Sequence, residues 1–247
     1  MDRDRASAIA HTGIAIGNPV PSAVLDRFVG ECALGKGDRA LDIGCGRGEL
    51  LLRAVEHSGC SAVGIDRSPR QIAIARSEAA RRVPGADIVF HEADAGAVGL
   101  DLHAYRLVAC VGSAHAFGGL SPTLANVTTF LERGGRLLVG DGYWTEPPSA
   151  EYLAAWGATA DELPDLAGFH HWFEQHQLTI SDEYLVTVAD WDAYEEPWLA
   201  NIEGHAQGNP DDPDSAGMLE WAREARARRA AGPGVLGFAL VLATVGA

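Results

Sequence analysis

The chain reads as an α/β protein built on a doubly wound, mostly parallel sheet of seven strands, with helical insertions that cap it. Three observations predict this. Short apolar segments alternate with segments of helical spacing across residues 36–142, the rhythm of parallel strands joined by crossover helices. The first apolar segment runs into three alternating glycines, Gly44, Gly46 and Gly48, and then into a new helix. Residues 106–111, RLVACV, are almost wholly apolar, as a strand covered on both faces must be.

Residues 1–19 are polar and close on Gly17-Asn18-Pro19. From Pro21, the residues Val24, Leu25, Phe28 and Val29 share one helical face. A turn at 35–38 leads to strand 1 (39–43), and a helix over 49–57 turns Leu50, Leu51, Ala54 and Val55 to the sheet. Strand 2 covers 61–65 and ends in Asp66. Ser68-Pro69, an N-cap with a first-turn proline, opens a helix over 69–83. Strand 3 covers 87–91 and strand 4 covers 106–111; a helix over 122–131 and a turn at 132–135 precede strand 5 (136–140). Beyond it the spacing predicts an inserted helix within 143–160, a sheet-covering helix over 165–177 and strand 6 over 178–189. Helices over 191–207 and 215–231, around the loop GNPDDPDS, lead to strand 7 (235–245). The organisation is therefore an N-terminal cap segment (1–35), a ligand-binding core (36–142), and the rest of the sheet (143–247) with cap insertions at 143–160 and 190–232.

At 247 residues and 47% apolar, the chain can bury the core of one domain with insertions. A net charge of −15 excludes the basic face that nucleic-acid binding needs. The opening MDRDRASAIAHTG has no apolar core, so no signal peptide is expected, and the apolar run 234–247 is too short to span a bilayer. Cys32, Cys45, Cys60 and Cys110 form no C-x-x-C pair and read as packed, reduced thiols. A cytoplasmic protein with neither a membrane nor a nucleic-acid partner is expected.

The glycines let the backbone turn tightly and bring its N–H groups and a helix N-terminus up to a ligand. Asp42, just before them, can hold a cationic group. Asp66, 22 residues beyond Gly44, can accept both hydroxyls of a ribose, which suits a nicotinamide dinucleotide as well as other nucleosides. Two details depart from the dinucleotide fingerprint G-x-G-x-x-G. Glu49 stands at the third glycine's place, and a second acidic residue, Asp94, follows strand 3.

The segments LDIGCGRGE, VGIDRSPRQIAIAR, HEADA, LVACVGSAHAFGG and LERGGRLLVGD, in this order, resemble class I S-adenosylmethionine-dependent methyltransferases. The resemblance covers residues 36–142 and is nearest to the small-molecule branch (methyltransferase type 11/25-like), in which a helix with an N-P motif precedes the first strand. It implies S-adenosylmethionine as cofactor. Gly44, Cys45 and Gly46 would line its methionine part, with Asp42 and Val111 beside it, and Asp66 would hold the ribose. Arg67 and Gln71 would flank the adenine, with Asp94 and Ala95 at its edge. Families that methylate amides or bases carry an N-P-P-Y-like run after strand 4; GSAHAFGG stands there instead, which argues against a DNA or glutamine target. An NAD-dependent oxidoreductase and a non-catalytic protein that binds S-adenosylmethionine are the alternatives.

His115 follows strand 4, at the end of the sheet where ligands bind, and is either the base or hydrogen-bonder for the acceptor or a loop histidine pinning the backbone. Tyr143 is a second catalytic candidate, directly after strand 5. Ser113 lacks a G-x-S-x-G elbow. Eleven of the 18 aromatic residues fall between Tyr143 and Trp198, so Trp144, Trp191, Tyr194 and Trp198, with Asn18 and Glu146, are the candidate acceptor-binding residues. No Lys or Arg occurs from Leu137 to Ala222, which leans toward an amine acceptor held by Glu146, Glu195 or Glu196. His170, His171 and His176 lack the i, i+4 spacing of a helical metal site, and no metal is expected. The residues do not specify the oligomeric state.

Overall fold

The computed structural model describes residues 1–245. Strands β1 (Arg39–Ile43), β2 (Ser61–Asp66), β3 (Ile88–Glu92), β4 (Tyr105–Val111) and β5 (Leu131–Trp144) pair in parallel. With β6 (Leu178–Leu185) and β7 (Leu236–Val245) they form one sheet of order β3-β2-β1-β4-β5-β7-β6. β7 runs antiparallel to both β5 and β6, so it alone is reversed. The chain order turns back at β1 and β4, which opens a crevice at the carboxyl ends of these strands.

Alternation along the strands divides the core in two. Ala40, Leu107, Ala109 and Leu138 face the helices α2 (Ser22–Glu31), α3 (Glu49–Ser58) and α4 (Pro69–Arg82). Leu41, Ile43, Val108, Leu137 and Val139 face α5 (Leu120–Val127) and α7 (Leu166–Gln175), where Phe169 and Phe173 are fully buried. A third cluster lies off the sheet. There Ala6 and Ala10 of α1 (Arg3–Ala10) pack on Leu199, Ile202 and Ala206 of α8 (Val188–Gly208) and on Met218 and Ala222 of α9 (Ser215–Ala231). Among the described residues, no helix is long and apolar enough to cross a membrane.

Several elements differ from expectation. α1 occupies a polar stretch for which no element was expected; its one local signal is the Asp2 side chain, which accepts the Arg5 amide as an N-cap. β5 is 14 residues long, because the expected turn at 132–135 is a bulge inside the strand: Leu131 pairs with Tyr105 and Arg136 with Leu107. At its other end β5 continues through Tyr143 and Trp144, which pair with Gly237 and Leu236 of β7, and the inserted helix is reduced to α6 (Ala150–Trp156). β6 stops at Leu185 because Thr187 and Asp190 form a capping box that starts α8.

Candidate active site

Each of the three glycines is used differently. Gly44 (φ +76°) could not carry a Cβ, which would lie 2.1 Å from Ser113 Oγ, so the loop after β4 packs directly on it. A Cβ on Gly48 (φ +76°) would meet the Phe90 ring at 2.7 Å. Gly46 (φ +51°) has nothing within 4 Å of its Cβ position; no protein atom requires the missing side chain there. The loop is tied to the end of β2. The amides of Gly44 and Cys45 donate to the Ile65 carbonyl at 2.8 and 3.0 Å. Asp66 accepts the Gly46 amide on Oδ2 at 2.9 Å and the Ser68 amide on Oδ1 at 2.8 Å.

These ends surround a cavity of about 860 Å3. Asp42, Gly44, Cys45, Gly46, Asp66, Arg67, Gln71, Asp94, Ala95 and Val111 all line it, and so do Asn18 and His115. Four βα junctions far apart in sequence are thus brought to one wall. The N-terminal segment forms the roof. α1 contributes Arg3, Asp4 and Ser7, and His11 and residues 15–18 continue it. Arg47 of the glycine loop latches this roof, donating to the Ala8 carbonyl at 3.0 Å and the Ile14 carbonyl at 3.5 Å, while its Nε binds Gln71 Oε1 at 3.1 Å. Ser68 Oγ donates to the Asp4 carboxylate, which Arg70 also holds.

The remaining expected acceptor residues lie elsewhere. Tyr143 is buried edge-on against Phe169. Trp144 donates its indole N–H to the Ala160 carbonyl at 2.9 Å, and Glu146 is exposed. Trp191 lies edge-on to Phe238, and Trp198 against Trp221. Tyr194 reaches the roof indirectly: its hydroxyl lies 2.9 Å from His11 Nε2 and 3.1 Å from the Gly17 carbonyl. The aromatic face of α8 thus covers α1, α9 and the sheet face at β7 instead of the cavity mouth. Glu195 and Glu196 face Arg229. His170 is paired with Glu183 and His176 with Ser121.

The cavity floor is electrostatically unusual. Asp42 is buried and accepts no hydrogen bond among the described residues; burial, and then the charge of Asp66, push its carboxyl up to about 7. Burial also pushes the Cys45 thiol well up, which removes it as a nucleophile. At the end of β5, burial raises the Asp141 carboxyl, while the Gly142 amide and then the charge of His115 draw it back. The floor therefore suits a ligand that brings a cationic centre to Asp42, places hydroxyls near Asp66 and passes close over Gly46.

A family model described as a methyltransferase domain matches residues 34–201. The chain belongs to this family. It is a class I S-adenosylmethionine-dependent methyltransferase. The methyltransferase is 29% identical over 236 residues to the uncharacterized protein YjhP of Escherichia coli, covering 92% of this chain and 89% of that one. A methyltransferase of Thiobacillus denitrificans, crystallised with S-adenosyl-L-homocysteine, is 25% identical with a TM-score of 0.86 over 96% of both chains. A 27-O-demethylrifamycin SV methyltransferase of Amycolatopsis mediterranei is 32% identical over 47% of this chain and 43% of its own. The oxidoreductase alternative finds no support among these relatives.

Proposed function

We propose that the protein transfers the methyl group of S-adenosylmethionine to the oxygen or nitrogen of a small molecule bound between His115, Asn18 and the N-terminal roof. The observation that carries this reading is the single cavity that joins every expected cofactor residue to His115. Asp66 would hold the ribose and Asp94 the adenine edge, Gly46 would let the methionine part pass close to the backbone, and Asp42 would face the cationic end. When bound, the cofactor supplies a methyl group made electrophilic by a sulfonium. The protein's part is positioning for in-line attack, with His115 taking the proton that the nucleophile loses.

Beside its charged residues, the cavity lining includes Ile16, Val20, Leu25, Val111 and Ala116 with Asn18 and Ser113, apolar or neutral side chains. It favours an acceptor atom that arrives uncharged, a hydroxyl or the free base of an amine. The carboxylates Glu146, Glu195 and Glu196 do not line this cavity, so the acidic stretch gives the amine reading no direct partner. The roof of α1 and residues 11–18 leaves room for a small acceptor rather than a polymer, and the Amycolatopsis relative is likewise named for a small molecule. The test is a labelled-methyl screen of fractionated small metabolites, with His115→Ala in parallel. Label transferred to a low-molecular-weight product by the wild type, and lost in the variant, supports the proposal. Binding of S-adenosylhomocysteine with no turnover on any fraction would instead favour a non-catalytic binding protein.

A further inference from the structure

A second cavity, of about 500 Å3, opens between α6, α8, α9 and the turn before β7, and shares no lining residue with the first. Its volume is that of a small-molecule site, commonly about 300–1,000 Å3. Tyr152 and Trp156 of α6 and Trp191 of α8 contribute aromatic walls. The Tyr152 ring lies flat on the turn because residue 232 is glycine; a Cβ there would sit 2.4 Å from the ring. At the lining's edge Trp156 and Val188 remain 42% and 52% exposed.

The charges around this cavity are unevenly matched. The stretch from Leu137 to Ala222 without Lys or Arg ends where α9 brings Arg226, Arg228 and Arg229 to the wall. Arg229 binds Glu196 at 2.7 Å and also Asp192, with Glu195 at 3.8 Å. Arg226 is held by Glu203 at 2.9 Å. Arg228 has no ion pair or hydrogen bond among the described residues, and its guanidinium lies 5.1 Å over the Trp156 ring. A guanidinium laid on an indole is fixed in orientation and presents its N–H fork to whatever enters. Of the three carboxylates in the lining, Asp192 and Glu196 are hydrogen-bonded by Arg229, and Glu195 lies 3.8 Å from it.

We propose that this cavity is a binding site for a small aromatic carboxylate, its ring against Trp156, Tyr152 and Trp191 and its carboxylate paired bidentately with Arg228. The pairing is a charge-assisted fork contact, and the ring adds the stacking area that indoles offer. The site is separate from the methyl-transfer cavity and does not depend on the reaction proposed for it.

Benzoate, benzamide and benzylamine, titrated by calorimetry and tryptophan fluorescence with and without S-adenosylhomocysteine, test the assignment. Benzoate should bind one saturable site whether or not the nucleoside is present. The two analogues should bind at least about tenfold more weakly, because neither can form the charged fork. Arg228→Gln should lower benzoate affinity about tenfold, Arg228→Lys should lose less, and Arg223→Gln on the exposed face of α9 should lose nothing. Near-ultraviolet circular dichroism of each variant reports whether the aromatic walls are intact. Benzoate failing to saturate by about 10 mM, benzylamine binding as well as benzoate, or Arg228→Gln binding as the wild type with its aromatic signal unchanged would each overturn the proposal.

Discussion

Asp66 Oδ2 accepts the amide of Gly46 at 2.9 Å, so the residue assigned to the ribose also holds the glycine loop that would carry the methionine part. One carboxylate thus sets the relative position of two halves of the cofactor site. Asp66→Ala should weaken S-adenosylhomocysteine binding by about 1–3 kcal/mol, the cost of leaving buried polar groups unpaired. Asp66→Asn should lose less, because its carbonyl can still take the Gly46 amide. Calorimetry on both variants checks this, and equal affinity in wild type and Asp66→Ala would refute the ribose assignment.

Gly46 and Gly48 separate binding from folding. Gly46→Ala places a Cβ in open space at φ +51°, so its stability cost should be only the left-handed penalty of about 1–2 kcal/mol, with a larger loss of cofactor affinity. Gly48→Ala drives a Cβ into the Phe90 ring and should lower the melting temperature more. Thermal melts beside binding isotherms would show the two losses in opposite order.

Asp42 should make the ligand-free protein pH-sensitive. Its carboxyl is raised from 3.8 to about 7, so the folded state binds this proton more tightly than the unfolded one. The protonated, favourable form is complete below the unfolded value, and stability declines as pH rises from about 4 through 7. The total is on the order of 2–4 kcal/mol. Asp42→Asn should flatten this slope in urea titrations. If the cofactor brings its cationic end to Asp42, as proposed, its binding should release a proton near pH 6, measurable as a buffer-dependent binding enthalpy.

Arg47 joins the cofactor loop to the roof through the Ala8 and Ile14 carbonyls. Arg47→Met should leave the sheet intact while hydrogen exchange speeds up in residues 3–18 and S-adenosylhomocysteine dissociates faster. Each charged hydrogen bond lost is worth about 1.5–3 kcal/mol. Unchanged exchange in that segment would show that the contacts of α1 with α8 hold the roof without Arg47.

His115→Ala should lower turnover by about 10²-fold or more if it removes the acceptor's base, with S-adenosylhomocysteine affinity within about twofold. Full activity in His115→Ala would make it a loop histidine.

The local grammar of the chain accounts for the cofactor half of the site. Strand, glycine loop and helix from Arg39 to Ser58, Ser68-Pro69 before α4, and acidic residues at the ends of β2 and β3 all obey periodicity, capping and turn rules that act within a few residues. α9 likewise spans the residues its spacing predicts. What covers that site was decided by tertiary structure. α1 has only Ala6, Ile9 and Ala10 for its apolar side, too little to announce a helix; its burial comes from Leu199 and Met218, about two hundred residues away. The bulge in β5 depends on pairing with Tyr105, and pairing with Gly237 and Leu236 of β7 carries Tyr143 and Trp144 into the sheet. Trp191 and Trp198 kept their helical spacing, but the face they occupy is taken by Phe238 and Trp221. Periodicity states that a face will be buried, whereas the partner that buries it is chosen by contacts remote in sequence, which a single chain read in order does not contain.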